Sequence, residues 1–89
     1  MLHRSRRERP EQHVVIDFAG WYGVFAILGA YALLSLGYLA ANDIWYQMLN
    51  LTGAVGLGLE ALFRKDYQPT ILNLVWALIA CIAIFRVLF

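Results

Sequence analysis

Three apolar runs, residues 18–41, 44–63 and 70–89, take up nearly all of this chain, and each is about as long as a bilayer is thick. A ~30 Å hydrocarbon core needs about 20 helical residues at ~1.5 Å rise per residue. The first run exceeds that length, which calls for tilt. Hydrophobic residues make up 62% of the 89 positions and charged residues 15%, and the charges gather outside the runs. A soluble domain this short would need a polar shell, and the polar residues to build one are missing. The pattern predicts an all-α integral membrane protein: a basic tail over residues 1–16, then a three-helix transmembrane domain over residues 17–89. The first run outlasts the ~7–15-residue core of a signal peptide, and Leu39-Ala40-Ala41 makes a poor cleavage site, so it is expected to be retained.

The basic residues give the runs a direction. Arg4, Arg6, Arg7 and Arg9 precede the first helix, Arg64 and Lys65 lie between the second and third, and Asn42-Asp43 joins the first two without a positive charge. Six of the seven basic residues thus fall on one side, which the positive-inside rule places in the cytoplasm. The N-terminus is then inside and the C-terminus outside, with Arg86 able to snorkel to the outer headgroups. Asp17 and Asp43 are expected N-caps of helices 1 and 2, and Pro69 suits the first turn of helix 3. Trp21, Tyr22 and Tyr67 mark an inner aromatic belt, and Tyr38, Trp45 and Tyr46 an outer one.

Each helix also carries a face that a plain lipid anchor does not need. Helix 1 has Ala19, Gly23, Ala26, Ala30 and Gly37, with Tyr31, Ser35 and Tyr38 as a second, polar stripe. Helix 2 has Gln47, Asn50, Ala54, Gly58 and Ala61 on one face, and Gly53, Gly56 and Glu60 on roughly the opposite one. Helix 3 aligns Asn73, Trp76, Ala80 and Ala83. In lipid, helices associate through small residues and interhelical hydrogen bonds. Gly23, Gly53 and Gly56 are therefore expected at helix contacts, and helix 2 is expected to touch protein on both sides. So many small residues point to a homo-oligomeric bundle, with a dimer favoured, or to packing within one chain.

Polar side chains at membrane depth are costly unless paired, and they often mark pathways. Depth counting gives an outer layer (Tyr31, Ser35, Tyr38, Gln47, Asn50) and an inner one (Glu60, Asn73), with Trp76 beside the inner layer. Asn50 and Asn73 either tie helices together or line a polar cavity. With Trp76 and Tyr31 they are the candidate substrate-binding residues. Glu60 can pair with Arg64 at i+4, or serve as a coupling carboxylate.

Several classes are excluded. A net charge of +1 lacks the basic face that nucleic acid requires. Cys81 stands alone, and His3 and His13 belong to no ligand pattern, so no metal or other cofactor is expected. Ser5 and Ser35 have no His and carboxylate to activate them, so the chain is not expected to be an enzyme. Asn50-Leu51-Thr52 fits the glycosylation pattern only in sequence, because it lies inside a run.

Tyr31, Tyr46-x3-Asn50-x2-Gly53-Ala54 and Pro69-x3-Asn73-x2-Trp76 together resemble a family of small bacterial three-helix membrane proteins, uncharacterised and permease-like. The resemblance runs from about residue 20 to residue 86 and implies a bacterial inner-membrane protein. A further similarity is to the half-size SWEET and PQ-loop sugar transporters, three-helix chains that dimerise around a pore. It implies substrate contact at Asn73 and Trp76, although helix 1 here lacks that group's Pro-Gln hinge. Two functions follow as expectations. One is a permease for a small polar solute, acting as a homo-oligomer in the bilayer. The other is a non-transporting subunit or assembly factor packed against a larger membrane partner.

Overall fold

The computed structural model describes residues 10–89, which form three α-helices: α1 (Pro10–Ser35), α2 (Ile44–Phe63) and α3 (Tyr67–Leu88). The tail arginines at positions 4, 6, 7 and 9, which carry most of the charge asymmetry, lie outside the described residues. Helix α2 coincides with the second apolar run. Helix α3 starts three residues before its run, and Pro69 still falls in its first turn, where backbone N–H groups have no helical acceptor to lose.

Helix α1 is displaced from expectation at both ends. It begins at Pro10 and not near residue 18, so Asp17 lies inside the helix and is not its N-cap. The helix stops at Ser35 and not at residue 41. Gly37, at φ 87°, puts the chain in the left-handed region. Tyr38 N–H then reaches the Leu33 carbonyl at 2.8 Å, and Gly37 N–H reaches Leu34 at 3.1 Å. This is a Schellman cap, which satisfies carbonyls that the helix end would otherwise strand. Gly37 is thus a helix stop and not part of a packing stripe. The link to α2 spans residues 36–43 and is no two-residue turn.

The end of α2 repeats the device with a less suitable residue. Asp66 N–H bonds the Ala61 carbonyl at 2.8 Å and Lys65 N–H bonds Leu62 at 3.0 Å, with Lys65 at φ 59°. Its start follows expectation: the Asp43 carboxylate accepts from Trp45 N–H at 2.9 Å.

The helices pack as a single row with α2 in the middle. Helix α2 lies against both neighbours, and the backbones of α1 and α3 do not approach each other closely among the described residues. Both pairings are antiparallel: the later positions of α1 meet the earlier positions of α2, and Asn50 and Gly58 of α2 meet Trp76 and Asn73 of α3 in the same falling order. The fully buried apolar side chains are all alanines, Ala26, Ala30, Ala54, Ala61 and Ala80; Ile27 and Leu57 reach into the α1–α2 contact half-buried, and most of the other large apolar side chains are exposed. Helix α1 (from His13 to Ser35) and α3 are long and apolar enough to cross a membrane, with mean hydropathy 1.6 and 2.4. By length and composition alone, helix α2, expected as the second of three spans, falls short of that mark. Gln47, Asn50, Thr52 and Glu60 interrupt it, and its neighbours flank it on both sides.

The two caps predict opposite responses to substitution. A non-glycine residue in the left-handed region costs about 1–2 kcal/mol, so Gly37→Ala should destabilise the protein by about that much. Lys65→Gly should be neutral or stabilising by up to ~1 kcal/mol, after the added freedom of the unfolded chain is allowed for. Thermal unfolding of both variants in detergent micelles, followed by circular dichroism, checks the contrast.

Candidate functional site

The α1–α2 seam is built from glycine and alanine. A Cβ at Gly23 would stand 2.5 Å from the Gly53 carbonyl oxygen, and one at Gly56 would stand 2.5 Å from the Ala19 carbonyl oxygen. Backbone therefore meets backbone, and only hydrogen fits at these positions. Gly23, Gly53 and Gly56 occupy the contact predicted for them. Gly20 joins them, which the sequence reading missed: a Cβ there would come within 2.5 Å of the Glu60 carboxyl carbon. The Gly20-x2-Gly23 spacing was the available signal. Tyr22, expected in an aromatic belt, instead makes a 2.6 Å hydrogen bond to Thr52 Oγ1. Thr52 Oγ1 commits its own proton to the Met48 carbonyl at 2.9 Å, so Tyr22 is the donor.

At one end of this seam, Arg64 holds two carboxylates. Its guanidinium pairs with Asp17 of α1 and lies 3.3 Å from Glu60 Oε2, the i+4 pairing expected of Glu60. Asp17, which does not cap α1, ties α1 to the C-cap residue of α2. All three side chains are roughly one-third exposed, so each pair contributes little more than ~1 kcal/mol.

The α2–α3 side differs, because an open groove of about 270 Å³ runs between these helices. Tyr46, Gln47, Asn50, Trp76, Ile79 and Ala80 line it. At its floor Trp76 Nε1 donates to Asn50 Oδ1 at 3.1 Å, and Asn50 Nδ2 donates to the Tyr46 carbonyl at 2.9 Å. Asn50 is 5% exposed and Trp76 42%. The groove therefore presents an indole edge and ring beside a buried amide, with the Gln47 side chain at the wall. Gln47 Nε2 donates to the Ala41 carbonyl at 2.7 Å, which ties the α1–α2 link to α2.

Of the candidate binding residues, the structure brings Asn50 and Trp76 together and leaves the others apart. Trp76 belongs with Asn50 in the outer layer and not beside the inner one. Counting Cα levels misplaced it, because the indole carries Nε1 several ångströms from its own backbone. Asn73 is 8% exposed, packs against Gly58 and returns its amide to the Pro69 carbonyl at 2.9 Å, outside the groove. Tyr31 is 64% exposed and lies off the small-residue face of α1. With α1 and α3 out of contact, it does not reach the groove. The expected outer layer of five residues reduces to Gln47 and Asn50, joined by Trp76.

Residues 16–89 match the model of an uncharacterised protein family, and the chain belongs to that family. The match spans most of α1 and all of α2 and α3. It brings no similarity to permeases or to the SWEET and PQ-loop group. No curated protein and no solved structure matches the chain.

The Asn50–Trp76 bond is expected to couple α2 to α3 by about 0.6–1.7 kcal/mol, the range for interhelical hydrogen bonds in a membrane setting. A double-mutant cycle of Asn50→Leu and Trp76→Phe, read by unfolding in micelles, should return that coupling. Gly53→Leu should cost more than either, about 1–3 kcal/mol, because the seam has no room for the added side chain. A coupling near zero would mean that the bond does not hold the two helices together.

Proposed function

We propose that this family member is a multi-pass protein of the bacterial inner membrane, N-terminus cytoplasmic and C-terminus outside, that acts as a homo-oligomer to pass a small polar solute. The observation that carries this is the side-opening α2–α3 groove, with Asn50, Gln47, Tyr46 and Trp76 along it. Two lines support the bilayer as solvent. Helices α1 and α3 expose their large apolar side chains, only 22% and 11% of their most apolar stretches being buried. Soluble monomers rarely expose more than a few hundred Å² of contiguous apolar surface.

In such a solvent a groove lined by amides is not left facing lipid. A row of three helices cannot close on itself, because α1 does not reach α3. A second copy applied to the groove encloses it at least cost in new parts, and a symmetric dimer places two grooves face to face. Trp76 and Asn50 are then the solute contacts, and Glu60 is held by Arg64 away from the path.

A second reading has its own observation. The Asn50 side-chain oxygen Oδ1 already accepts from the Trp76 indole, as in a structural tie between helices. On this reading the chain is a non-transporting subunit or assembly factor, and its open side receives a larger membrane partner.

Purified protein reconstituted in liposomes separates the two. The transport reading expects uptake of at least one small polar solute, lowered about tenfold or more by Trp76→Ala, and a molar mass of two protomers by light scattering. Absence of uptake together with stoichiometric recovery of a larger membrane protein favours the subunit. Uptake that persists in both Trp76→Ala and Asn50→Leu removes this groove as the path.

A further inference from the structure

The two arginines among the described residues have opposite surroundings. Arg64 is neutralised by Asp17 and Glu60. Arg86, in the last turn of α3, has no carboxylate and no hydrogen-bond partner among the described residues. It lines a second pocket, of about 540 Å³, together with Ala41, Asn42, Gln47, Ala83 and Val87. Asp43, the acid nearest this pocket in sequence, does not line it and is engaged as the cap of α2. The helix macrodipole favours a cation at this end of α3, but it asks for neither a cavity nor amides from another element. Here Asn42 comes from the α1–α2 link and Gln47 from α2, so three elements of the fold converge on one unneutralised guanidinium. The remaining lining is apolar: Ala41, Ala83 and Val87.

A guanidinium fork matches the oxygens of a phosphate bidentately, and Asn supplies further N–H donors. We propose that this pocket is a binding site for a phosphate-type oxyanion, either the headgroup of an anionic phospholipid or a free phosphate. Arg86 holds the oxyanion, Asn42 assists, and the Ala83–Val87 side receives any apolar part of the ligand. The site does not depend on transport of a solute. It borders the Asn50–Trp76 groove, since Gln47 lines both, so an occupied site also covers one end of that groove.

The test uses the full chain in neutral maltoside micelles at about 0.15 M salt, an ionic strength that screens diffuse attraction. Thermal unfolding is followed by tryptophan fluorescence in the presence of inorganic phosphate, dihexanoyl phosphatidylglycerol or dihexanoyl phosphatidylcholine. A ligand about tenfold above its Kd should raise Tm by about 6–11 °C. The expected result is a rise with phosphatidylglycerol or phosphate that exceeds the phosphatidylcholine effect, is lost in Arg86→Gln and is retained in part in Arg86→Lys. A rise with phosphatidylglycerol alone identifies the lipid headgroup as the source, and a rise with phosphate as well identifies the oxyanion itself. No rise with either overturns the site. So does a rise that survives Arg86→Gln, or one lost equally in Lys65→Gln at the opposite end of α3. If Arg86→Gln lowers the ligand-free Tm, the Arg86→Lys variant, which keeps the charge and loses the fork, carries the comparison.

Discussion

Close approach of two helix backbones organises this molecule. At the α1–α2 seam the peptide units of Gly23 and Gly53, and of Ala19 and Gly56, stand where side chains would ordinarily intervene. Contact at that range gains dispersion energy from backbone atoms and loses almost no side-chain entropy, because glycine and alanine have none to lose. It also explains the inverted distribution of residue sizes. An interior of alanine, glycine and two asparagines admits a few large apolar side chains only in part, Ile27 and Leu57 among them, and leaves most of them on the outer surface.

The two sides of α2 use that middle position differently. Towards α1 the contact is close and closed by charge at one end, where Gly20 leaves space for the Glu60 carboxylate and Arg64 reaches back to Asp17. Towards α3 an indole and two asparagine amides replace glycine as the specifying groups, and the helices separate enough to leave a groove. The α1 side adds the Tyr22–Thr52 bond and the Asp17–Arg64 pair to its close glycine contact, and the α3 side relies on the Trp76–Asn50 bond. The polar content that keeps α2 below the hydropathy of its neighbours is concentrated on these two sides, which explains why the least apolar helix lies between the other two.

Much of the fold was legible from side-chain size and periodicity. Helix α2, its Asp43 cap, the Glu60–Arg64 pair and the glycine contacts all follow from local chemistry or from spacing along one helix. Features that depend on where a chain turns, or how far a side chain reaches, were less accessible. Gly37 reads as one more small residue in an apolar run until its φ of 87° shows it ending the helix. That stop moves every depth count made across the following link. Lys65 carries no sequence mark of its left-handed conformation at all. The Trp76–Asn50 bond joins residues that a Cα count places in different layers, and the Tyr22–Thr52 bond spans 30 positions with no motif to announce it. The candidate site suffered most, because a binding group is defined by which side chains meet. Tyr31 and Asn73 have suitable chemistry and unsuitable neighbours.

The absence of contact between α1 and α3 has a mechanical meaning. In a closed three-helix bundle each element can signal to either of the others by two routes, direct and relayed. Here, among the described residues, α1 and α3 have no close backbone approach, and the connections at each end of α2 complement its two packed sides. Among the described residues, a displacement of α3 is therefore passed to α1 through α2. The rigid glycine seam would then make α1 and α2 move as one lever, with the hydrogen-bonded α3 as the part free to swing against it.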